Sequence, residues 1–320
     1  MATRRNPPRR TPRPLLTMAA AATAGLLAAA AGCAATGPER QGVVVTTNIL
    51  GDITREIVGD QADVTVLMKP GADPHSFGIS AQEAALIERS ALVVYNGLGL
   101  EEGVLRNVHA AEDAGVATLA VGDEVDPVAF TPDDAADMAG EPDPHFWTDP
   151  RRVATAVDAI AERVIAEVDG VDAQAVRDNA ADYRGDVEEL DAWVTERVAA
   201  IPADRRSLVT DHHVFGYFAQ RYGFEVIGAV VPSGTTLASP SAADLESLAG
   251  SVRDAGVPAI FADSAQPDRL AQVLADEAGV HVEVVALHAE SLTDADGGAP
   301  TYLEMVRSNT DAIADGLSGG

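Results

Sequence analysis

Short β-rich runs alternate with amphipathic segments twice along this chain, and a long polar stretch without a helix breaker separates the two series. The first series has β-type runs at 43–47, 64–68, 92–95 and 117–121, with helical patterns near 52–58, 81–88 and 102–114 between them. The second has runs at 207–210, 225–231, 259–262 and 282–286, with helical patterns near 214–222, 242–255, 267–278 and 302–317. Strands separated by helices pair in parallel, because a parallel crossover needs a connection long enough to return the chain to its starting edge. Such sheets place their ligand sites in loops beyond the carboxyl ends of the strands.

A helix is expected near 150–167, with Pro150 in its first turn, where a missing N–H costs little. From Asp172 to about Val198 the pattern stays helical; Gly185 is its only glycine, and Pro202 is the first proline after it. At 1.5 Å per residue such a helix reaches roughly 40 Å, enough to join two lobes as a rod, although an ordinary long surface helix has the same pattern. The expected fold class is therefore α/β: two similar lobes with mainly parallel sheets joined by one long rigid helix, with a cleft between them suited to a small ligand. The boundaries read 1–32 leader, 33–41 tether, 42–170 N-terminal lobe, 171–200 linking helix and 201–320 C-terminal lobe.

The leader carries five arginines and no acid, followed by a small-residue apolar stretch from Leu15 to Ala31 and the sequence Ala30-Ala31-Gly32-Cys33. That apolar stretch suits a secretory signal better than a spanning helix, which needs about 20 strongly apolar residues. Arg4-Arg5 and Arg9-Arg10 leave the general secretory and twin-arginine routes both open. Cys33 is the only cysteine, so an intrachain disulfide and a thiolate metal cluster are both excluded. Without the leader, 17 basic and 50 acidic residues remain, a formal charge of −33. Such a surface repels phosphate backbones and attracts cations, which argues against nucleic acid as a partner.

Four histidines lie in three loops at element junctions. His75 stands in Gly71-Ala72-Asp73-Pro74-His75, His145 in Asp143-Pro144-His145-Phe146-Trp147, and His212 beside His213 in Thr210-Asp211-His212-His213. Neutral imidazole is a common metal ligand, and three imidazoles with one carboxylate supply the four donors of a tetrahedral zinc site. A lone loop histidine is more often solvated, but two Asp-Pro-His turns in one chain point to a shared site. Asp73, Asp149, Asp211 and Asp263 are candidate carboxylates for orienting the rings, with helix capping the stronger expectation for Asp149 and Asp211. The acidic loop 133–143 reads as solvated, His109 as an exposed helix residue, His281 as structural, and Trp147, Phe215 and Phe218 as core aromatics.

The segments 71–77, 96–101, 145–150, 212–218 with Tyr222-Gly223, and Glu290-Ser291-Leu292 followed by Thr301-Tyr302 and Asn309 resemble, in order, the zinc- and manganese-binding solute-binding lipoproteins of ABC importers, the ZnuA/TroA/PsaA-like family. The resemblance runs from about 43 to 317. It implies a site made by His75, His145, His212 and Glu290. Glu290 stands where the family usually has aspartate, and His288 and His213 are rivals for ligand positions. It implies acylation at Cys33, a membrane-tethered extracytoplasmic location, Zn2+ or Mn2+ as the transported ligand, an ABC permease with its ATPase as partners, a monomer and no enzymatic activity.

Two other readings use the same residues. A metal-dependent hydrolase needs three protein ligands and an open water position, but the chain has no His-Glu-x-x-His pair and no evident separate base. A surface adhesin or metallochaperone differs only in its partner.

Overall fold

Val43, Val44 and Val45 form a strand that is buried on both faces, as a central strand of a parallel sheet must be. The computed structural model describes residues 42–131, 138–279 and 282–318. The leader, Cys33, the first part of the acidic loop (through residue 137) and His281 lie outside the described residues.

In the first half the strands are β1 (Val43–Val45), β2 (Val64–Val66), β3 (Leu92–Tyr95) and β4 (Ala117–Ala120); the helices are α1 (Asn48–Val58), α2 (Ala81–Ile87) and α3 (Glu102–Asp113). All pairs are parallel, in the order β2-β1-β3-β4. α4 (Pro150–Glu167) and α5 (Ala173–Ala199) follow. The second half has β5 (Ser207–Thr210), β6 (Glu225–Ala229), β7 (Ala259–Asp263) and β8 (Glu283–Leu287), with α6 (Gly216–Tyr222), α7 (Ala242–Ala255), α8 (Arg269–Ala278) and α9 (Tyr302–Ser318). Its order, β6-β5-β7-β8, repeats the topology of the first sheet.

Alternate residues of β1 and β3 serve different faces. Val43, Val45, Leu92 and Val94 face the main core, while Val44 and Val93 meet Ile87, Val104 and Val108 of α2 and α3. The main core runs without a break from Val43 to Leu317, so the two lobes share one apolar interior. Along α5, Val176, Ala180, Tyr183, Val187, Leu190, Val194 and Val198 form a buried stripe at helical spacing that packs on α1, α4 and α9. The 27-residue helix is therefore built into the interior along one face.

Local signals set several ends. Ser80 and Ser241 close capping boxes with Glu83 and Asp244, Pro150 sits in the first turn of α4, and Asp172 accepts from two N–H groups at the start of α5. The start of α1 differs from the sequence reading. Thr47 was expected in a strand and the helix near 52, yet the Thr47 side chain accepts the Leu50 N–H, so the helix begins at Asn48. A threonine suits a strand and a helix cap equally well, and the cap prevails where the strand has left the sheet.

Candidate metal centre

The turn after β2 carries His75. Pro74 stiffens it, and the Asp73 carboxylate accepts from the His75 N–H at 2.9 Å and from Ser76 Oγ at 2.8 Å. The same carboxylate accepts from Thr236 Oγ of the second half at 2.8 Å, so this turn is tied across the cleft.

His145 follows Asp143-Pro144 and precedes a single 3-10 turn, Phe146–Thr148, that leads into α4. Asp143 Oδ1 lies 2.9 Å from the His145 backbone N and 2.7 Å from its ring Nδ1. With Nδ1–H donating to that carboxylate, Nε2 keeps its lone pair for the cleft. Tyr217 Oη donates to the Asp143 carbonyl at 2.6 Å, and Asn96 Nδ2 to the Pro144 carbonyl at 3.0 Å. A side chain at Gly216 would begin 2.9 Å from Asp143 Oδ2, so the first residue of α6 has to be small.

His212 stands two residues after β5, where Thr210 Oγ donates to its carbonyl at 2.7 Å and Asp211 Oδ2 stands 3.2 Å from its Nδ1. Glu290 comes three residues after β8.

The four side chains meet in the cleft. Glu290 Oε1 is 3.0 Å from His75 Nε2, 3.4 Å from His145 Nε2 and 3.3 Å from His212 Nε2; the two Nε2 atoms of His75 and His145 are 3.3 Å apart. One donor from each residue lies within 4.8 Å of the other three. Donors bound tetrahedrally to zinc at 2.0–2.1 Å stand about 3.3 Å apart, so most of these separations suit such an ion. None of the four residues is more than 3% exposed. Glu290 Oε2 and His212 Nε2 are buried with no hydrogen-bond partner, a costly state for a carboxylate oxygen and an imidazole nitrogen unless a cation takes them up.

The electrostatics follow from this crowding. Burial opposes charge on His145, yet Asp143 and then Glu290 outweigh it and raise its pKa. For His212 burial again opposes charge, and Glu290 and Asp211 raise it well above the ordinary value. Burial would raise Glu290, but His212 and His75 hold it well below the usual carboxylate range. Nearby Asp263 is pushed up to about 8, by burial first and then by Glu290 and Asp211.

His75, His145, His212 and Glu290 are thus brought together, and the rivals are not. His288 lies 3.0 Å from Ser264 Oγ through Nδ1, and its backbone is gripped by Asn309 through both N–H and carbonyl. β8 ends at Leu287, so the two-residue alternation that would have placed His288 beside Glu290 stops before reaching it. His213 is buried and donates its N–H to the Ser233 carbonyl, outside the four-donor group. His109 is exposed on α3.

Two expectations need correction. Asp143, assigned to a solvated loop, is 3% exposed and carries the shortest contact to any of the cage imidazoles. The signal was present in its Asp-Pro-His turn, which matches that of Asp73. Asp211, expected to cap a helix, instead contacts the His212 ring, since α6 starts at Gly216 with no side-chain cap. Asp149 does cap α4, accepting the Arg151 N–H. Sequence reasoning also passed over Glu101 as a positioning group. It is fully buried and accepts from Thr46 Oγ, Asn96 N and Gly97 N at 2.7, 2.6 and 3.2 Å, which fixes the loop whose Asn96 holds Pro144.

The chain is similar to known proteins over most of its length. The chain is 31% identical over 280 residues to the zinc-binding protein TroA of Treponema pallidum, covering 86% of this chain and 88% of that protein. It is 28% identical over 301 residues to the manganese-binding lipoprotein MntA of Halalkalibacterium halodurans, covering 92% and 95%. Among solved structures, the periplasmic zinc-binding protein TroA superposes with a TM-score of 0.79 at 29% identity, over 87% of this chain and 99% of that one. The Mn-bound periplasmic metal-binding protein of Candidatus Liberibacter asiaticus gives 0.75 at 27% identity, over 87% and 100%. Residues 43–316 match the family described as zinc-uptake complex component A, periplasmic, and the chain belongs to that family.

Proposed function

We propose that this protein is the extracytoplasmic solute-binding component of an ABC importer, which captures one Zn2+ or Mn2+ ion between its lobes and hands it to the permease and its ATPase. The observation that carries this reading is the buried cage of His75, His145, His212 and Glu290, in which Glu290 Oε2 and His212 Nε2 make no hydrogen bond. Four side-chain donors in a closed pocket favour holding an ion over activating water on it, which supports a carrier over a hydrolase. In this reading residues 42–170 and 201–320 are the lobes and 171–200 the linking helix, and the protein works as a monomer. Cys33 is its acylated N-terminus and holds it at the membrane by lipid alone. Among the described residues no helix is long and apolar enough to cross a membrane.

The test is the metal content of the purified protein together with competition titration against a chelator of known affinity. One equivalent of ion is expected, and changing His75, His145 or His212 to alanine should abolish tight binding. Three such variants that keep full affinity would overturn the assignment.

A further inference from the structure

Glu290 belongs to the second half of the chain, but the backbone on both sides of it is held by side chains of the first half. Before it, the Ala289 carbonyl accepts the indole Nε1–H of Trp147 at 2.9 Å. After it, the Leu292 N–H donates to Asn48 Oδ1 at 3.0 Å, while Asn48 Nδ2 donates to Ser291 Oγ at 2.8 Å. The same Nδ2 lies 3.3 Å from the Lys69 carbonyl and 3.5 Å from that of Leu292, and the Gly71 N–H donates to the Leu292 carbonyl at 3.0 Å. Trp147 is two residues from His145, and Lys69 and Gly71 lead into the His75 turn. The Glu290 segment is therefore bracketed against the loops of two imidazoles, and the Asn48 side chain reaches both the Glu290 segment and the segment that leads into the His75 turn. Asn48 is 7% exposed and is the first residue of α1, fixed by the Thr47 cap.

The bracket determines how the carboxylate is offered. Oε1 faces all three Nε2 atoms at 3.0–3.4 Å, whereas Oε2 is buried and has no hydrogen-bond partner. Three nitrogens and one oxygen form the four-donor set that zinc takes. Entry of the second oxygen would make five donors, and a harder, oxygen-richer shell of higher number suits manganese. A freely moving glutamate, with one more methylene than aspartate, has the reach to turn both oxygens inward. A pinned backbone limits that turn.

We propose that Asn48 is a specificity-determining positioning residue, whose amide holds the 289–292 segment so that Glu290 presents one oxygen and the site prefers zinc to manganese. This rests on the metal-carrier reading above and adds the ion it favours. Asn48 touches no metal donor directly; it acts through the backbone on which Glu290 is mounted.

The experiment measures zinc and manganese dissociation constants for the metal-stripped full chain by chelator competition, and compares their ratio among variants. Wild type should favour zinc, and Asn48→Ala should shift the ratio toward manganese by about tenfold, within the range known for outer-shell changes. Arg197→Ala serves as the control, since it removes ion pairs to Asp311 and Asp315 away from the cage and should leave the ratio unchanged. A purely structural role for Asn48 weakens both ions by the same factor and overturns the proposal, as does a wild type that prefers manganese. If Asn48→Ala does not fold, Ser291→Ala removes the acceptor of the Asn48 Nδ2–H beside Glu290 while leaving Asn48 in place, and an unshifted ratio there overturns the proposal. A wild type that binds neither ion sinks the carrier reading itself, which separates the two failures.

Discussion

The Asp143 carboxylate takes up both the backbone N–H and the ring Nδ1 of His145, at 2.9 and 2.7 Å, so a single side chain fixes the position and the tautomer of one proposed ligand. Replacing it by alanine should leave the ring free to rotate and to carry its proton on either nitrogen. Metal affinity is expected to fall about 10–100-fold, with Asp143→Asn losing less. Competition titration of the two variants checks this.

Proton linkage gives a second prediction. Both His145 and His212 are raised above their ordinary value of 6.5, so in the metal-free protein they contribute stability that is fully present below that value and lost as pH rises through the raised one. Glu290, held well below 4.5, contributes stability present above that value and lost as pH falls through the depressed one. The metal-free cage should thus be most stable between about pH 4.5 and about pH 6.5. An ion requires neutral imidazoles, so its affinity should run the other way and keep climbing above pH 6.5, with protons released on binding at about pH 7. An unperturbed imidazole would lose metal affinity at about pH 6.5; the neighbouring carboxylates move that loss upward for His145 and His212. Titration calorimetry in buffers of different ionisation enthalpy counts those protons, and an affinity that is flat from about pH 6 to about pH 8 would contradict the assignment.

Metal removal should be visible in thermal unfolding. Free ion at a hundred times its dissociation constant adds about 2.7 kcal/mol, which for a chain of this size raises Tm by roughly 4–5 °C. Adding a chelator should reverse the shift, and His212→Ala should show none.

A fourth prediction separates scaffold from site. Asp191 on α5 accepts from Arg221 Nη2 at 2.6 Å, Tyr222 Oη at 2.9 Å and Arg151 Nε at 3.3 Å, so it joins the long helix to α6 and α4. Asp191→Ala should cost about 2–3 kcal/mol, typical of hydrogen bonds to charged groups, with little change in metal affinity at temperatures where the variant is folded. Denaturant unfolding and metal titration of the same sample measure the two quantities.

Much of the architecture was legible because the hydrophobic period changed from two to 3.6 residues at clear punctuation. α4 begins at Pro150 and α7 spans residues 242–255, both as expected, since proline and a serine cap mark their starts. The four site residues were legible as types in motifs, but the sequence held no means of separating Glu290 from His288. That distinction depends on where β8 ends and on Asn309, 21 residues away, gripping the His288 backbone. Asp143 and Asn48 were missed for a related reason. An aspartate in an acidic loop and an asparagine at a helix start both have ordinary local explanations, and their partners appear only once distant segments have packed.

Helix α5 is one uninterrupted rod whose buried stripe, from Val176 to Val198, packs on α1, α4 and α9. Bending it at mid-span would break backbone hydrogen bonds and expose side chains from a core that the two halves share. A jaw-like parting of the halves would therefore carry both of these costs. If the protein carries an ion as proposed, the short loops that hold His75, His145, His212 and Glu290 are the parts whose loosening costs least when the cargo leaves.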